Sequence, residues 1–224
     1  MAEIDRFTRC RWIFGEDFGK LQDAKVILFG AGGVGSYCLD ALWRSGVQNI
    51  TVVDGDRFDI TNQNRQIGSD AVGELKAEVF EKRYPGVKGV AVRVDKEWID
   101  AFDFTPYDLV LDAIDDIGAK VAIARRCHRR LVSSMGGARR LDPTRIKVSK
   151  IWQTAHDPFA TRVKRRLRYE NLRFNYTVIY SEEAATHCAD YQLGSFVGVT
   201  GAFGLAMASA GIAKLRHRLG RVAP

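Results

Sequence analysis

Three glycines, Gly30, Gly32 and Gly35, stand at the spacing G-x-G-x-x-G, with Gly33 between them, where the apolar run ILF breaks into GAGGVGS. Glycine at these places permits a sharp turn and lets backbone N–H groups approach a phosphate. A helix that starts there points its positive end at the same anion. Further on, Asp54 closes a second apolar run, ITVVD, where a carboxylate can hydrogen-bond a ribose hydroxyl. By themselves these residues suit NAD and ATP alike, and so an oxidoreductase and an activating enzyme alike.

The stretches that follow favour ATP. They are DGDRFDITNQNRQ (54–66), GELKAE (73–78) and DAIDD (112–116). A triphosphate carries far more negative charge than the pyrophosphate of NAD and calls for added cations. Arg65 can grip phosphate oxygens in bidentate fashion, and Lys76 supplies a point charge. Mg²⁺ accompanies ATP and takes oxygen ligands, and Asp115 sits just past a strand, at the end of a parallel sheet where ligands bind. Each residue also has a plain structural use. Asp116 can cap the next helix, Arg65 can pair with Asp59, and Lys76 can be a solvated helix residue.

Alternating elements must position these groups. The runs at 24–30, 50–54, 89–94, 108–115 and 131–136 read as strands, and 35–47, 74–84 and 117–130 as helices. That rhythm predicts an α/β fold, a doubly wound, mostly parallel sheet with a Rossmann-like nucleotide site. After Gly137 the pattern changes to strands at RIKVSKIWQT and FNYTVIYSEE around a basic helix, FATRVKRRLRYENL, and then a last helix from Ser195 to Arg218. With no linker or repeat, residues 1–224 read as one domain, a nucleotide-binding core over about 20–136 and a basic part over 137–224 that extends it.

Charge is uneven. Residues 1–119 hold 14 basic and 21 acidic side chains, and residues 120–180 hold 16 basic and 3 acidic ones. The second segment suggests a polyanionic partner. The uncharged stretch from Leu193 to Lys214 is long enough to cross a bilayer. Its Gly, Ala and Ser content favours a buried or interface helix over membrane contact. The four cysteines, Cys10, Cys38, Cys127 and Cys188, form no CxxC pair, so no zinc is expected. MAEIDRFTRC has no apolar run, and the expected location is the cytoplasm, with thiols reduced.

RFTRCRWIFG, GAGGVGS, VDGDRFDITNQNRQ, GELKAE and DAIDD, in this order, resemble the ThiF/MoeB-type adenylating enzymes, relatives of the ubiquitin-activating enzymes. SSMGGARRLDPTRIKV, DPFATRVKRRLR, VIYSEE and FGLAMASAGIAKL resemble its tRNA threonylcarbamoyladenosine dehydratase branch. The resemblance implies that Asp54 binds the ribose of ATP, that Arg65 and Lys76 bind its phosphates with Asn62 and Gln66 beside them, and that Asp115 holds Mg²⁺. It also implies a homodimer in which Arg9 reaches the γ-phosphate bound by the neighbouring subunit. The expected activity is ATP-dependent cyclisation of threonylcarbamoyladenosine in tRNA through an adenylated carboxylate. The alternative is adenylation of the C-terminus of a ubiquitin-like sulfur carrier, against which the missing zinc pairs and the basic segment count. The expected tRNA-binding residues are Arg139, Arg140, Lys164, Arg165, Arg166 and Arg168, with Trp152 and Tyr169 as aromatic neighbours. A sulfur-relay protein is left open as a further partner. Only Ala184 to Thr186 separate YSEE from HCADYQ, where the family carries a longer loop, and Cys188 falls where it has a cysteine, read here as a packed or inert thiol.

Overall fold

The computed structural model describes residues 4–186 and 194–219, so Cys188 lies outside the described residues. Its strands are β1 (Val26–Phe29), β2 (Ile50–Val53), β3 (Val87–Val90), β4 (Leu109–Asp112), β5 (Leu131–Ser134), β6 (Ile146–Lys150) and β7 (Thr177–Ser181). They form one sheet in the order β3-β2-β1-β4-β5-β7-β6. All neighbours run parallel except β6, which returns antiparallel to β7. Val26 lies opposite Ile50 on one side and Leu109 on the other, so β1 is central, and all four of its residues are buried. Parallel strands covered on both faces must be apolar throughout, which is why VILF and LVLD show no alternation.

The helices are α1 (Thr8–Phe14), α2 (Asp17–Asp23), α3 (Gly35–Arg44), α4 (Lys76–Arg83), α5 (Lys96–Ala101), α6 (Ile117–Cys127), α7 (Pro158–Tyr169) and α8 (Val197–Leu219). One core joins Leu39 and Leu42 of α3, Phe80 of α4, and Phe203 and Met207 of α8 to one face of the sheet. The other joins Ile99 of α5, Val121 and Ile123 of α6, and Val163 and Leu167 of α7 to the opposite face. The doubly wound arrangement is therefore as the sequence predicts.

The differences are local. The expected strand at 89–94 is displaced to Val87–Val90, and that at 108–115 stops at Asp112. In both places the chain leaves the sheet where the nucleotide-type loops gather, and apolar letters there line a cavity rather than a ladder. The short helix α5 carries too few turns to show a period. Its signal is the cap, where Asp95 Oδ1 accepts from Trp98 N at 2.8 Å.

Helix α8 is long and apolar enough to cross a membrane. Here its glycines serve close packing. A Cβ at Gly204 would stand 2.4 Å from Val34 O and 2.7 Å from Tyr37 Cβ, and one at Gly201 would touch the Tyr37 ring. The small residues thus let α8 lie directly on α3. In an exposed helix, Gly→Ala gains about 1 kcal/mol. Gly204→Ala is instead expected to destabilise the protein by about 1–3 kcal/mol through overpacking. The thermal midpoint should fall by several degrees, and a raised midpoint would refute this account of the α3–α8 contact.

Candidate active site

In the observed strand order the chain winds outward from β1 to β3, then crosses back to β4. The crevice at the C-terminal ends of β1 and β4 is the switch point where ligands of such sheets bind. A cavity of about 660 Å³ opens there. Gly30, Gly32, Gly33, Asp54, Asn62, Arg65, Gln66, Lys76 and Asp115 all line it.

The glycine loop is fixed by contact. Gly30 has φ +83°, and a Cβ there would lie 2.9 Å from the Ala113 carbonyl. Gly35 does not line the cavity but seats the loop from behind, where a Cβ would fall 1.9 Å from Gly30 O. Gly32 meets only Gln66 Nε2, at 3.8 Å, and so presents open backbone to the cavity.

Asp54 follows β2. Its Oδ2 accepts from Ala31 N at 2.7 Å and its Oδ1 from Asp56 N at 2.8 Å. Burial pushes its carboxyl above the ordinary aspartate value, opposed by those two backbone bonds and by the Lys76 charge. Lys76, the first residue of α4, is buried, and its Nζ lies 3.5 Å from Asp56 Oδ2. It is not a solvated helix residue. Nor does Arg65 pair with Asp59: its Nη1 donates to Thr61 O at 2.9 Å and to Asn64 Oδ1 at 2.8 Å. Asp59 instead caps a short turn, accepting from Thr61 N, while Asn62 Oδ1 accepts from Asp59 N. Gln66 Oε1 is buried without a hydrogen-bond partner among the described residues.

Asp116 does cap α6, its Oδ1 accepting from Ala119 N at 2.7 Å. That leaves Asp115 exposed on the cavity wall, with no ion pair among the described residues. Arg9 is exposed on α1 and is not part of the lining of its own protomer's cavity. Two groups of lining residues escape sequence reasoning. Asp56 is hidden between motif residues, and Val92 to Val94 read as strand, with Asp95 just beyond it. Gly55 is the missed signal, since a Cβ there would lie 2.4 Å from Arg93 N, so only glycine lets this segment close the wall.

The basic residues separate into two sets. Arg165, Arg166 and Arg168 are exposed along α7. Arg166 pairs with Glu170 at 2.6 Å and also feels the charge of Asp116 at the cavity wall. Arg140 belongs elsewhere. It is 3% exposed, ion-paired with Asp157 at 3.1 Å, and donates to Gly136 O. Asp157 in turn caps α7 by accepting from Ala160 N at 2.9 Å. The expectation that Arg140 lies on an RNA-binding face is thus corrected, because the one carboxylate able to neutralise it is buried beside it. Lys164 is half-buried and donates to Thr154 O at 2.8 Å, and Arg139 is half-buried at φ +60°. Trp152 packs inward and donates to Phe174 O, whereas Tyr169 is 81% exposed.

A family profile described as ThiF family matches residues 6–215. The chain belongs to the ThiF family. Within that family, the tRNA threonylcarbamoyladenosine dehydratase of Bacillus subtilis is 36% identical over 194 residues, covering 81% of this chain and 76% of that protein. The Escherichia coli protein of the same description is 35% identical over 175 residues, covering 73% of this chain and 65% of its own length. Among solved ThiF-type structures, E. coli tRNA N6-threonylcarbamoyladenosine dehydratase, TcdA, in complex with ATP matches with a TM-score of 0.90 at 30% identity, over 97% of this chain and 96% of that one. Its complex with AMP gives a TM-score of 0.90 at 31% identity, over 96% of each chain.

The two basic sets differ in a measurable way. Arg140→Ala would leave Asp157 as an unpaired buried charge and is expected to cost about 3–5 kcal/mol of stability. Arg165→Ala and Arg168→Ala, both at exposed positions, should each stay within about 0.5 kcal/mol of wild type. Urea unfolding of the three variants checks this. Equal midpoints for all three would remove the structural role given to Arg140.

Proposed function

We propose that this protein is an ATP-dependent tRNA threonylcarbamoyladenosine dehydratase that works as a homodimer. The observation that carries the reading is the convergence of the glycine loop, Asp54, Arg65, Lys76 and Asp115 on one cavity at the switch point of a ThiF-type sheet. The dehydratase relatives at 35–36% identity and the match to ATP- and AMP-bound dehydratase structures support the substrate assignment.

The residues divide the work by chemistry. The backbone from Gly30 to Gly33 and the start of α3 would receive the phosphates. Asp54, kept in place by Ala31 N and Asp56 N, has acceptor capacity left for the ribose hydroxyls. Val92 and Val94 offer an apolar wall to the base, and the buried Gln66 Oε1 offers an unused acceptor. Arg65 and Lys76 would stabilise charge on the phosphates as the carboxylate of the threonylcarbamoyl group attacks the α-phosphorus and pyrophosphate leaves. A nitrogen or oxygen of the same modified nucleoside then displaces AMP, and the substrate has lost one water. No protein nucleophile is needed, so positioning and fixed charge supply the rate.

Asp115 fits a Mg²⁺ ligand, since its carboxylate is exposed, lines the cavity and is unpaired among the described residues. Among the described residues no three metal-binding side chains cluster, so the protein would contribute one carboxylate, and the triphosphate and water the remaining oxygens, as Mg²⁺ commonly requires. When bound, the ion would neutralise part of the phosphate charge. Arg9 would serve the partner's cavity, because it stands exposed and away from its own. The exposed arginines of α7 would hold the tRNA backbone beside the cavity.

The direct test mixes protein, ATP, Mg²⁺ and threonylcarbamoyladenosine-containing tRNA and follows nucleosides by mass. Loss of one water, with AMP and pyrophosphate formed, is expected. Arg65→Ala should lower turnover by about 10²–10³-fold, the scale seen when one charge-stabilising donor is removed. An unmodified nucleoside, or wild-type turnover by Arg65→Ala, would count against the assignment.

Assembly has its own test. Arg9→Ala and Asp115→Ala should each be inactive as homodimers. Mixed dimers should regain activity, because one cavity then has an intact Asp115 and an Arg9 from its partner. Failure to regain activity despite demonstrated subunit exchange would rule out action in trans.

A further inference from the structure

At the opposite end of the sheet from the nucleotide cavity lies a second cleft, of about 670 Å³. Arg129 before β5, Lys150 at the end of β6, and Lys214 and Arg218 in the last turns of α8 line it, over an apolar floor that includes Val148 and Ala210. Among the described residues no carboxylate lines the cleft. Among the described residues none of these four cations is in an ion pair. Their polar partners are neutral oxygens. Lys214 Nζ donates to Arg129 O at 3.1 Å, Lys150 Nζ to Thr177 Oγ1 at 3.3 Å, and Arg218 Nη1 to Asp108 O at 3.3 Å.

Cations in the last turn of α8 also suit the negative end of the helix dipole. That accounts for Lys214 and Arg218, but not for Arg129 and Lys150, which arrive from other elements. Lys214 shows the cost of gathering them: burial and the charges of Lys150 and Arg218 push its amine below the ordinary lysine value. Bound negative charge would relieve that cost. Several cations spread along a cleft suit an array of spaced anions better than a single carboxylate. Arg129 and Lys150 also belong to the segment that carries 16 basic and only 3 acidic residues, as does α7.

We infer that this cleft is a second phosphate-binding surface, which grips the RNA backbone at a distance from the reacting nucleoside. The inference rests on the tRNA reading above and adds a contact region on the far side of the sheet.

The test uses the full chain with Lys150→Gln/Lys214→Gln, and with Arg129→Gln/Lys150→Gln as a second variant that leaves the half-buried Lys214 intact. Filter binding of tRNA is measured from low to moderate salt. Each phosphate contact contributes about 0.7–0.9 to the log–log salt slope, so losing two contacts should flatten it by about 1.4–1.8. Affinity at low salt should fall as well, while ATP binding stays at the wild-type value. If wild type binds tRNA and both variants keep its slope and affinity, the proposal is overturned. If wild type retains no tRNA, the dehydratase reading fails on its own, and inorganic pyrophosphate titrated into protein saturated with a non-hydrolysable ATP analogue decides the cleft. Loss of that binding in both variants upholds a phosphate site for a free anion, and unchanged binding overturns it.

Discussion

Lys120 and Asp112 form a fully buried ion pair, 2.8 Å apart, with neither side chain reaching solvent. A buried charge is tolerated only when it is paired and its remaining hydrogen bonds are met. Here the accounting closes. The three donors of the Lys120 ammonium meet Asp112 Oδ2, Ser133 Oγ and Ser134 O. Ser133 Oγ also donates to Asp112 Oδ2 at 2.6 Å, and Ile114 N donates to Oδ1 at 3.2 Å. One network thus ties the ends of β4 and β5 to α6. The turn from Ala113 to Asp116, which carries Asp115 into the cavity wall, hangs between two of its members.

The other walls are joined to this one. The Ala113 carbonyl lies where a Cβ of Gly30 would be, so the glycine loop and the Asp115 turn are in direct backbone contact. On the far side, Asp54 accepts from Ala31 N in the loop and from Asp56 N in the next segment. Loop, acid and turn therefore hold one relative geometry before any ligand arrives. Catalysis by position and fixed charge gains from such preorganisation, because little reordering is left to the reacting complex.

Much of this was legible in the residues. Unbroken apolar runs marked the parallel strands, and the glycine spacing with Asp54, Arg65, Lys76 and Asp115 marked groups that do gather at one cavity. What escaped was what depends on tertiary contact. Val92 to Val94 read as strand because they are alternately apolar, yet they leave the sheet after Val90 and, with Asp95, close the cavity. Lys120 read as a helix residue in a basic segment. Only the meeting of β4, β5 and α6 shows it to be the hub of a buried network. Arg140 gave the same misleading signal, since a pair of adjacent arginines does not reveal that one of them faces Asp157.

That distinction changes what a charged segment means. Several of the cations between residues 120 and 180 hold the fold together. Arg125 pairs with Asp100 and Glu170, Arg126 donates to the carbonyls of Ile99, Asp100 and Phe102, and Arg130 donates to Tyr107 O. These bonds fasten α6 and the turn after it to the α5 region, and their charge is largely neutralised or spent on carbonyls. Two groups of exposed or half-buried cations stand apart from these, one along α7 and one in the cleft lined by the last turns of α8. Helix α7 packs on one face of the sheet and α8, whose last turns line the cleft, on the other, so a partner that is long relative to the sheet can engage both and a small anion only one.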